Sequence, residues 1–553
     1  MFKCILLNSI QLLSTKGYMG MIHPDTIFTE AKGQPLREFL YPRLIARYHY
    51  SNKLGLFNDV HGEKIFDCCL YRGENAPIRF DSISNLYHPN TIDACYSSDG
   101  LGLCKGAEYI DENGKKHTNI EGHKDRIIHY DENMLKMVAE VFEGTREWKS
   151  CKLVSIYAMR CLDILKRLLN CRHVSVVNPF VTEAFHATNA KKDGTMREQT
   201  KYPDYDAYEM MFNSTQVGIL SPFSKLPQKV CNKDSQYDGV DYTRVSIDYD
   251  IRTNYVPNKN IVEFKKIIDP TDGWFKCYKI GFKKMMDPTH ERTLKGAILP
   301  PKSSHTNSII SASFVNQHDL ILFAGMSSSV ILDFFIKTVG IRNLTSSVLN
   351  GLPFGVGDKY VDAISVRTLR LNCVNHWYKD LWESSYDANF CAESWSIDDC
   401  RLSSFANLQK NFSEQVLLRN DFERRQAMLE LDVIIAMTLG FSLEDLIFIY
   451  TNTFATTQKY EADTWYDANG RVVFTVSTEN DLDLDRKTWE AIRGAKKDEF
   501  TYDGQEPSHT YTIAEKNSEV YAGQEITFVA PYTRCDRIAD YRRAWKHFEE
   551  QFK

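Results

Sequence analysis

In the first seventy residues, apolar and polar positions fall into a short series of elements. Ile5 to Leu13 is an apolar run that reads as a helix, and Ser14-Thr15-Lys16-Gly17 reads as a turn. Tyr18-Met19-Gly20-Met21-Ile22 reads as a buried strand, closed by His23-Pro24-Asp25-Thr26-Ile27-Phe28. Thr29 to Tyr41 is polar and then helical. Tyr48-His49-Tyr50, Leu54-Gly55-Leu56-Phe57 and Lys64 to Tyr71 supply further strand candidates. Helix, strand, crossover and strand pair predict a parallel α/β sheet. The stretch opens on a helix, with no glycine-rich phosphate or cofactor loop, like the second half of a nucleotide-type sheet.

Further along, residues 73–130 are turn-rich, and Asp111 to Lys116 reads as a hairpin turn after Tyr109-Ile110. Residues 131–170 carry two helical runs, the first capped by Asp131 or Asn133. Residues 174–320 alternate short strand candidates (Val174 to Val177, Gln216 to Leu220, Val245 to Ile247, Cys277 to Ile280) with many prolines, so an irregular, mostly β module is expected. Val330 to Lys337 is a helix stopped by Gly340, and a short helix is expected over 366–381. The longest helical block covers 404–450, with Arg419, Arg424 and Arg425 on its polar face and Ala427 to Met437 on its buried one. Asn469-Gly470 between aromatic and β-branched residues predicts a hairpin, and Asp540 to Phe548 a terminal amphipathic helix.

A chain of 553 residues implies several domains, and 43% hydrophobic content supports a sizeable core. Aromatics at 12% suit stacking on planar ligands or aromatic-rich β cores. The fourteen cysteines include no CxxC spacing, which argues against a zinc knuckle or a secreted disulfide framework and for reduced thiols in a cytoplasmic protein. Ile5 to Leu13 is too short to span a membrane, and no transmembrane segment is expected. No HExxH, GxSxG or P-loop is present, so nothing supports a hydrolase or an NTPase.

The net charge of -6 conceals a basic stretch at 252–302, with eleven Lys or Arg against five Asp or Glu. Lys265, Lys266, Trp274, Lys276, Lys279, Lys283, Lys284 and Arg292 interleave cations with rings, the mixture that meets phosphates and bases. The same composition also describes a solvated β face over an aromatic core, which by composition alone is the commoner outcome. His23 and Asp25 follow a strand whose carboxyl end is a usual ligand position, although a satisfied turn accounts for them equally. Asn178-Pro179-Phe180 is similar to the Asn-Pro-Pro-aromatic loop of amino-methyltransferases, without its second proline, and a strand-ending turn explains it more simply.

Several segments together resemble one family. Leu12 to Asp25 looks like the helix, glycine, strand and proline stretch that follows the catalytic loop of adenine-N6 DNA methyltransferases. Leu56 to Val60 and Lys64 to Gly73 resemble their later motif, where an aromatic residue before a strand stacks on the flipped adenine. Asp287 to Leu294, and Val330 to Lys337 with Gly340 and Leu352-Pro353, resemble segments of their target-recognition region. Phe422 to Ala427 and Tyr460 to Asp467 resemble the C-terminal part of very large members, the type IIG-like methylases and those of phage-defence systems such as DISARM.

The resemblance covers nearly the whole chain but the family's C-terminal half alone. It implies an α/β plus mixed α+β fold: a partial Rossmann-like methyltransferase sheet at 1–75, an insertion with bridging helices at 76–172, and a β-rich target-recognition domain at 173–403. A helical block with a hairpin follows at 404–479, then a tail with a terminal helix at 480–553. It implies Phe57 as the ring stacking on the target base, where an ordinary core phenylalanine is the alternative, and no catalytic residue in this chain. S-adenosylmethionine would be held by a missing or separate N-terminal half, with none expected in this chain alone. Double-stranded DNA and a catalytic half or other restriction-modification or defence subunits are the implied partners, and no metal site is expected. A stand-alone protein-interaction or DNA-binding module is the competing expectation.

Overall fold

The computed structural model describes residues 2–62, 64–111, 115–258, 261–268, 273–477, 484–493, 510–514, 518–519 and 521–553. The chain forms two compact units, one of residues 1–170 with 449–455 and one of residues 171–448 with 456–553.

Unit 1 begins with α1 (Phe2–Gln11), whose Leu6 and Ile10 are buried, and β1 (Tyr18–Pro24). α2 (Gln34–Leu40) leads to β2 (Leu44–Ser51), followed by β3 (Ile65–Arg72), β4 (Arg79–Leu86), α3 (Asn90–Ser97), β5 (Ile128–Asp131), α4 (Glu132–Glu143) and α5 (Met159–Leu169). The five strands make one sheet in the order β1-β3-β2-β4-β5. β3 is antiparallel to β1 and β2, β5 is antiparallel to β4, and β2–β4 is the parallel pair. The sheet is therefore mixed rather than parallel, since period-two alternation marks a strand but not its direction. β1 is also no buried strand. It lies at the sheet edge with Tyr18 71% and Ile22 54% exposed.

Two other expectations of unit 1 change. Leu54 to Phe57 is a turn and not a strand, with Gly55 left-handed at φ 70°. Buried Asn52 imposes it: its amide accepts the Phe57 N–H at 2.9 Å and donates to the carbonyls of Phe57 (2.9 Å) and Val60 (2.6 Å). Residues 73–130 hold β4 and α3 besides turns. The short hairpin Glu108–Ile110 with Lys116–Thr118 is present, while its tip at 112–114 lies outside the described residues. α4 is capped as expected, with Asp131 accepting the Met134 N–H at 2.8 Å. Gly73 ends β3 where a Cβ would collide with the Ser14 carbonyl oxygen, so the α1–β1 turn can close against it.

Under this sheet lies a fully buried ion pair, Arg47–Asp67, at 3.1 Å. It is poorly satisfied: Arg47 Nη1 and Nη2 and Asp67 Oδ2 have no hydrogen-bond partner. The Arg47 guanidinium lies 5.0 Å from the Phe28 ring centroid. Burial raises the Asp67 carboxyl above its ordinary range despite Arg47. Arg47→Met alone is expected to cost about 3–5 kcal/mol by stranding Asp67, while Arg47→Met with Asp67→Leu should match or exceed wild type by about 1–4 kcal/mol. Thiol labelling of buried Cys69 on β3, read by peptide mass spectrometry across a denaturant series, measures both, and a double variant as unstable as the single would refute the prediction.

Unit 2 contains two four-stranded sheets. The first joins β7 (Met196–Lys201), β8 (Met211–Phe212), β9 (Thr253–Pro257) and β12 (Ser304–His305) in the order β12-β8-β9-β7. The second joins β6 (Phe180–Thr182), β10 (Lys279–Lys283), β11 (Gly296–Leu299) and β13 (Ile309–Ser313) in the order β11-β10-β13-β6, all antiparallel. Val174 to Val177 is a 3-10 turn, not a strand. It ends at Asn178, left-handed at φ 45°, so Asn178-Pro179-Phe180 is a turn entering β6. Gln216 to Leu220 and Val245 to Ile247 are loops as well.

The helices of unit 2 are α6 (Gln317–Ser327), α7 (Val330–Val339), α8 (Val361–Asn372), α9 (Asp421–Thr438) and the terminal α10 (Arg537–Gln551). α7 is capped by Ser329 and stopped by left-handed Gly340. α9 opens on a capping box made by Asn420 and Glu423. The hairpin at Asn469-Gly470 forms as expected, pairing β14 (Trp465–Tyr466) with β15 (Val472–Phe474), and β16 (Thr533–Arg534) adds a third strand. Residues 478–483, 494–509, 515–517 and 520 of the acidic tail lie outside the described residues.

Arg424 and Arg425 do not mark a polar face of α9, because both are buried. Arg424 donates to the carbonyls of Leu371, Leu418 and Leu220 and to Ser221 Oγ, and Arg425 pairs with Glu461 (3.1 Å) and Asp540 (2.8 Å). No single helix among the described residues is long and apolar enough to cross a membrane. The bent pair α6–α7 passes by length and composition, yet its central residues are buried.

Candidate nucleic-acid interface

The basic stretch divides into an interior part and a surface part. Trp274 is buried, its indole N–H donating to Ser311 Oγ at 2.9 Å. His305 donates from Nδ1 to the Thr306 carbonyl (3.0 Å), leaving Nε2 to accept from Ser311 at 2.7 Å. Burial holds the His305 pKa down at about 3, so the ring is neutral. Lys279 reaches into the same cluster, 4.9 Å from the Trp274 ring centroid and within 3.3–3.4 Å of the carbonyls of Trp274, Cys277 and Pro300. Arg292 is buried against Asp333 at 2.7 Å. These three expected DNA contacts are core groups, because β10 buries Lys279 to Phe282 consecutively between its two sheet neighbours and the loop after it is tied to α7.

The surface part is different. Lys265 and Lys266, on the helix Ile261–Ile268, are exposed, as is Lys276. Lys284 is half-buried and paired with Glu183 at 2.5 Å. Lys283 lines a cleft of about 840 Å3 together with Lys225, Lys295 and Arg342. Its apolar lining includes Ile219, Met285 and Pro288, with Met285 83% exposed.

The wall formed by residues 287–294 is held firmly. Asp287 accepts the Thr289 N–H (2.9 Å) and hydroxyl (2.8 Å). Fully buried Asp333, in the first turn of α7, accepts the backbone N–H groups of Thr293 and Leu294 at 3.0 Å besides binding Arg292. Lys337 donates to the carbonyls of Pro288 (2.8 Å) and His290 (2.7 Å). Arg292 and Lys337 thus act through the backbone, and the wall presents His290 outward. Lys225, Lys295 and Arg342 were invisible to the sequence reasoning because they reach the cleft from three separate strands or loops. Lys295 and Lys283 show a signal in retrospect, flanking the paired strands β10 and β11.

In unit 1, His23 is buried, with Nδ1 donating to the Pro24 carbonyl (3.0 Å) and Nε2 accepting from the Tyr71 hydroxyl (2.9 Å). Burial lowers its pKa. Asp25 is half-buried, and burial followed by nearby Asp67 raises its carboxyl. Phe57 is 41% exposed on the Asn52 turn, edge-on to Phe66 with ring centroids 5.2 Å apart. Among the described residues no three or more His, Cys, Asp or Glu side chains gather as a metal site, and all fourteen cysteines are free thiols.

No family model and no curated protein matches the chain. Among solved structures it is similar to the type IIG restriction endonuclease BpuSI, with a TM-score of 0.27, 11% identity and coverage of 79% of this chain and 49% of that one. It is also similar to the type IIL restriction-modification enzyme MmeI in complex with DNA, with a TM-score of 0.30, 10% identity and coverage of 82% and 52%. The chain spans about half the length of each.

Proposed function

We propose that unit 2 binds double-stranded DNA at the cation-lined cleft and serves target recognition for an S-adenosylmethionine-dependent adenine-N6 methyltransferase of a restriction-modification or defence system. The observation that carries this is the cleft itself: Lys225, Lys283, Lys295 and Arg342 converge around exposed Met285 in a chain of net charge -6. Cations around an apolar centre suit phosphates flanking base edges or sugars.

The residues of unit 1 do not fit the cofactor. Among its described residues no strand runs through a glycine turn into a helix, the arrangement by which backbone N–H groups approach a nucleotide-type ligand. A separate catalytic half would therefore hold it. The edge of β1, hydrogen-bonded to β3 on one side alone among the described strands, is where a partner strand would join, in keeping with exposed Tyr18 and Ile22.

Duplex affinity is expected to fall steeply with salt, and Lys283→Ala and Arg342→Ala should each flatten the plot of log affinity against log salt by about one. Fluorescence anisotropy with a labelled duplex at several salt concentrations measures this. Absence of binding at low salt would overturn the proposal.

A further inference from the structure

Beside the cationic cleft, unit 2 has a second cavity of about 700 Å3, and the two share Ser224, Glu291, Met428 and Arg537. The two cavities adjoin at these residues and differ in chemistry. The volume lies within the roughly 300–1,000 Å3 of small-molecule sites. Four tyrosines, Tyr237, Tyr460, Tyr466 and Tyr521, line the second cavity.

Most charges in this cavity are matched from within. Arg471 pairs with Asp241 at 2.5 Å, and Arg425 and Arg537 pair with Glu461 at 3.1 and 2.8 Å. Arg424 is held by carbonyls and Ser221, while Asp238 accepts from Gln228 (2.9 Å) and the Glu519 N–H (2.8 Å).

Asp421 stands apart. It lines the cavity, where surrounding protein desolvates the carboxyl, and accepts the Val472 N–H at 2.9 Å through one oxygen. Its carboxylate makes no other hydrogen bond and no ion pair among the described residues. Burial lifts its pKa to about 6, with Asp241 adding to the rise while the Val472 hydrogen bond, Arg471 and Arg424 oppose it. That rise prevails although Asp421 opens α9, where the helix dipole favours the charged form.

We propose that the two adjoining cavities together hold a nucleotide unit, its base among the tyrosines, its exocyclic amino group donating to Asp421, and its phosphate among Lys225, Lys283 and Lys295. The part-exposed ring of Tyr460 offers stacking to any base, a lone acceptor carboxylate selects an amino edge, and the cations lie in the adjoining cavity. This deepens the nucleic-acid reading of the cleft and rests on it.

Calorimetric titration of the full chain with AMP and CMP, compared with IMP and UMP, tests it. Each of the latter pair carries a carbonyl where the former has an amino group. AMP and CMP are expected to bind at least tenfold more tightly at pH 7.5. Asp421→Asn, which keeps an acceptor for the Val472 N–H, should abolish the preference, and pH 5, which favours the protonated Asp421 carboxyl, should weaken it. The neighbouring carboxylates Asp238, Asp241, Glu291 and Glu461 and the four arginines are present in both proteins, so loss of the pH effect in the variant assigns it to Asp421. Equal affinity for the four nucleotides, or no binding by any of them, overturns the site and leaves salt-dependent duplex binding standing. Amino-selective binding without duplex affinity overturns the DNA reading instead.

Discussion

Replacing Arg367 with methionine is expected to cost unit 2 about 3–5 kcal/mol, because it strands buried carboxylates rather than merely deleting a contact. Arg367 is fully buried on α8. Its Nε meets Glu430 at 2.8 Å, its Nη1 meets Glu393 at 2.8 Å, and its other bonds run to the carbonyls of Ala363 and Ser394. The rings of Phe405 and Phe548 lie 5.1 and 5.0 Å from the guanidinium carbon, so an apolar surface flanks the lost donor. Glu430 keeps Ser396 and Gln426 as donors, but these are neutral and leave its charge uncompensated. Seven of the eight tryptophans belong to unit 2, so intrinsic fluorescence during denaturant unfolding reports this unit. An unfolding midpoint unchanged in Arg367→Met would show that the network contributes nothing to stability.

Distance along the chain between partners explains where the sequence was legible. Helices with an apolar stripe, a cap and a glycine stop were readable: α4 from Asp131, α7 from Ser329 to Gly340, and the β14–β15 hairpin from Asn469-Gly470, where left-handed Gly470 makes the turn. What failed was decided by distant partners. Arg425 looks like a surface residue until Glu461 and Asp540, more than thirty and one hundred positions away, are brought to it, and so does Arg424 until the carbonyls of Leu220 and Leu371 are. Leu54 to Phe57 satisfies a strand pattern, yet one buried asparagine outbids it. The edge position of β1 and the antiparallel run of β3 follow from sheet order, which local alternation does not encode. The candidate site was half legible. Charge excess located 252–302, but sorting its cations into cleft and core needed the register of β10.

Lys279 is the sharpest case of that sorting, and it sets a pH dependence of stability. Its ammonium is fully buried, and burial lowers its pKa to about 7, against an ordinary value near 10.5. Between those two values the unfolded chain carries the proton and the folded chain resists it, so wild-type stability must rise as pH rises. At about 1.4 kcal/mol per pKa unit, the gain amounts to about 2 kcal/mol between pH 7 and pH 9, out of on the order of 4 kcal/mol for the full interval. Lys279→Met removes this component. Its stability relative to wild type is therefore expected to fall by about 2 kcal/mol over the same two pH units, whatever the constant offset from unpairing the carbonyls of Trp274, Cys277 and Pro300. Lys337, lowered by burial to about 8, contributes in the same direction in both proteins and cancels in the comparison. Parallel stability curves would show that the three carbonyls and the Trp274 face hold a charged ammonium as well as water does.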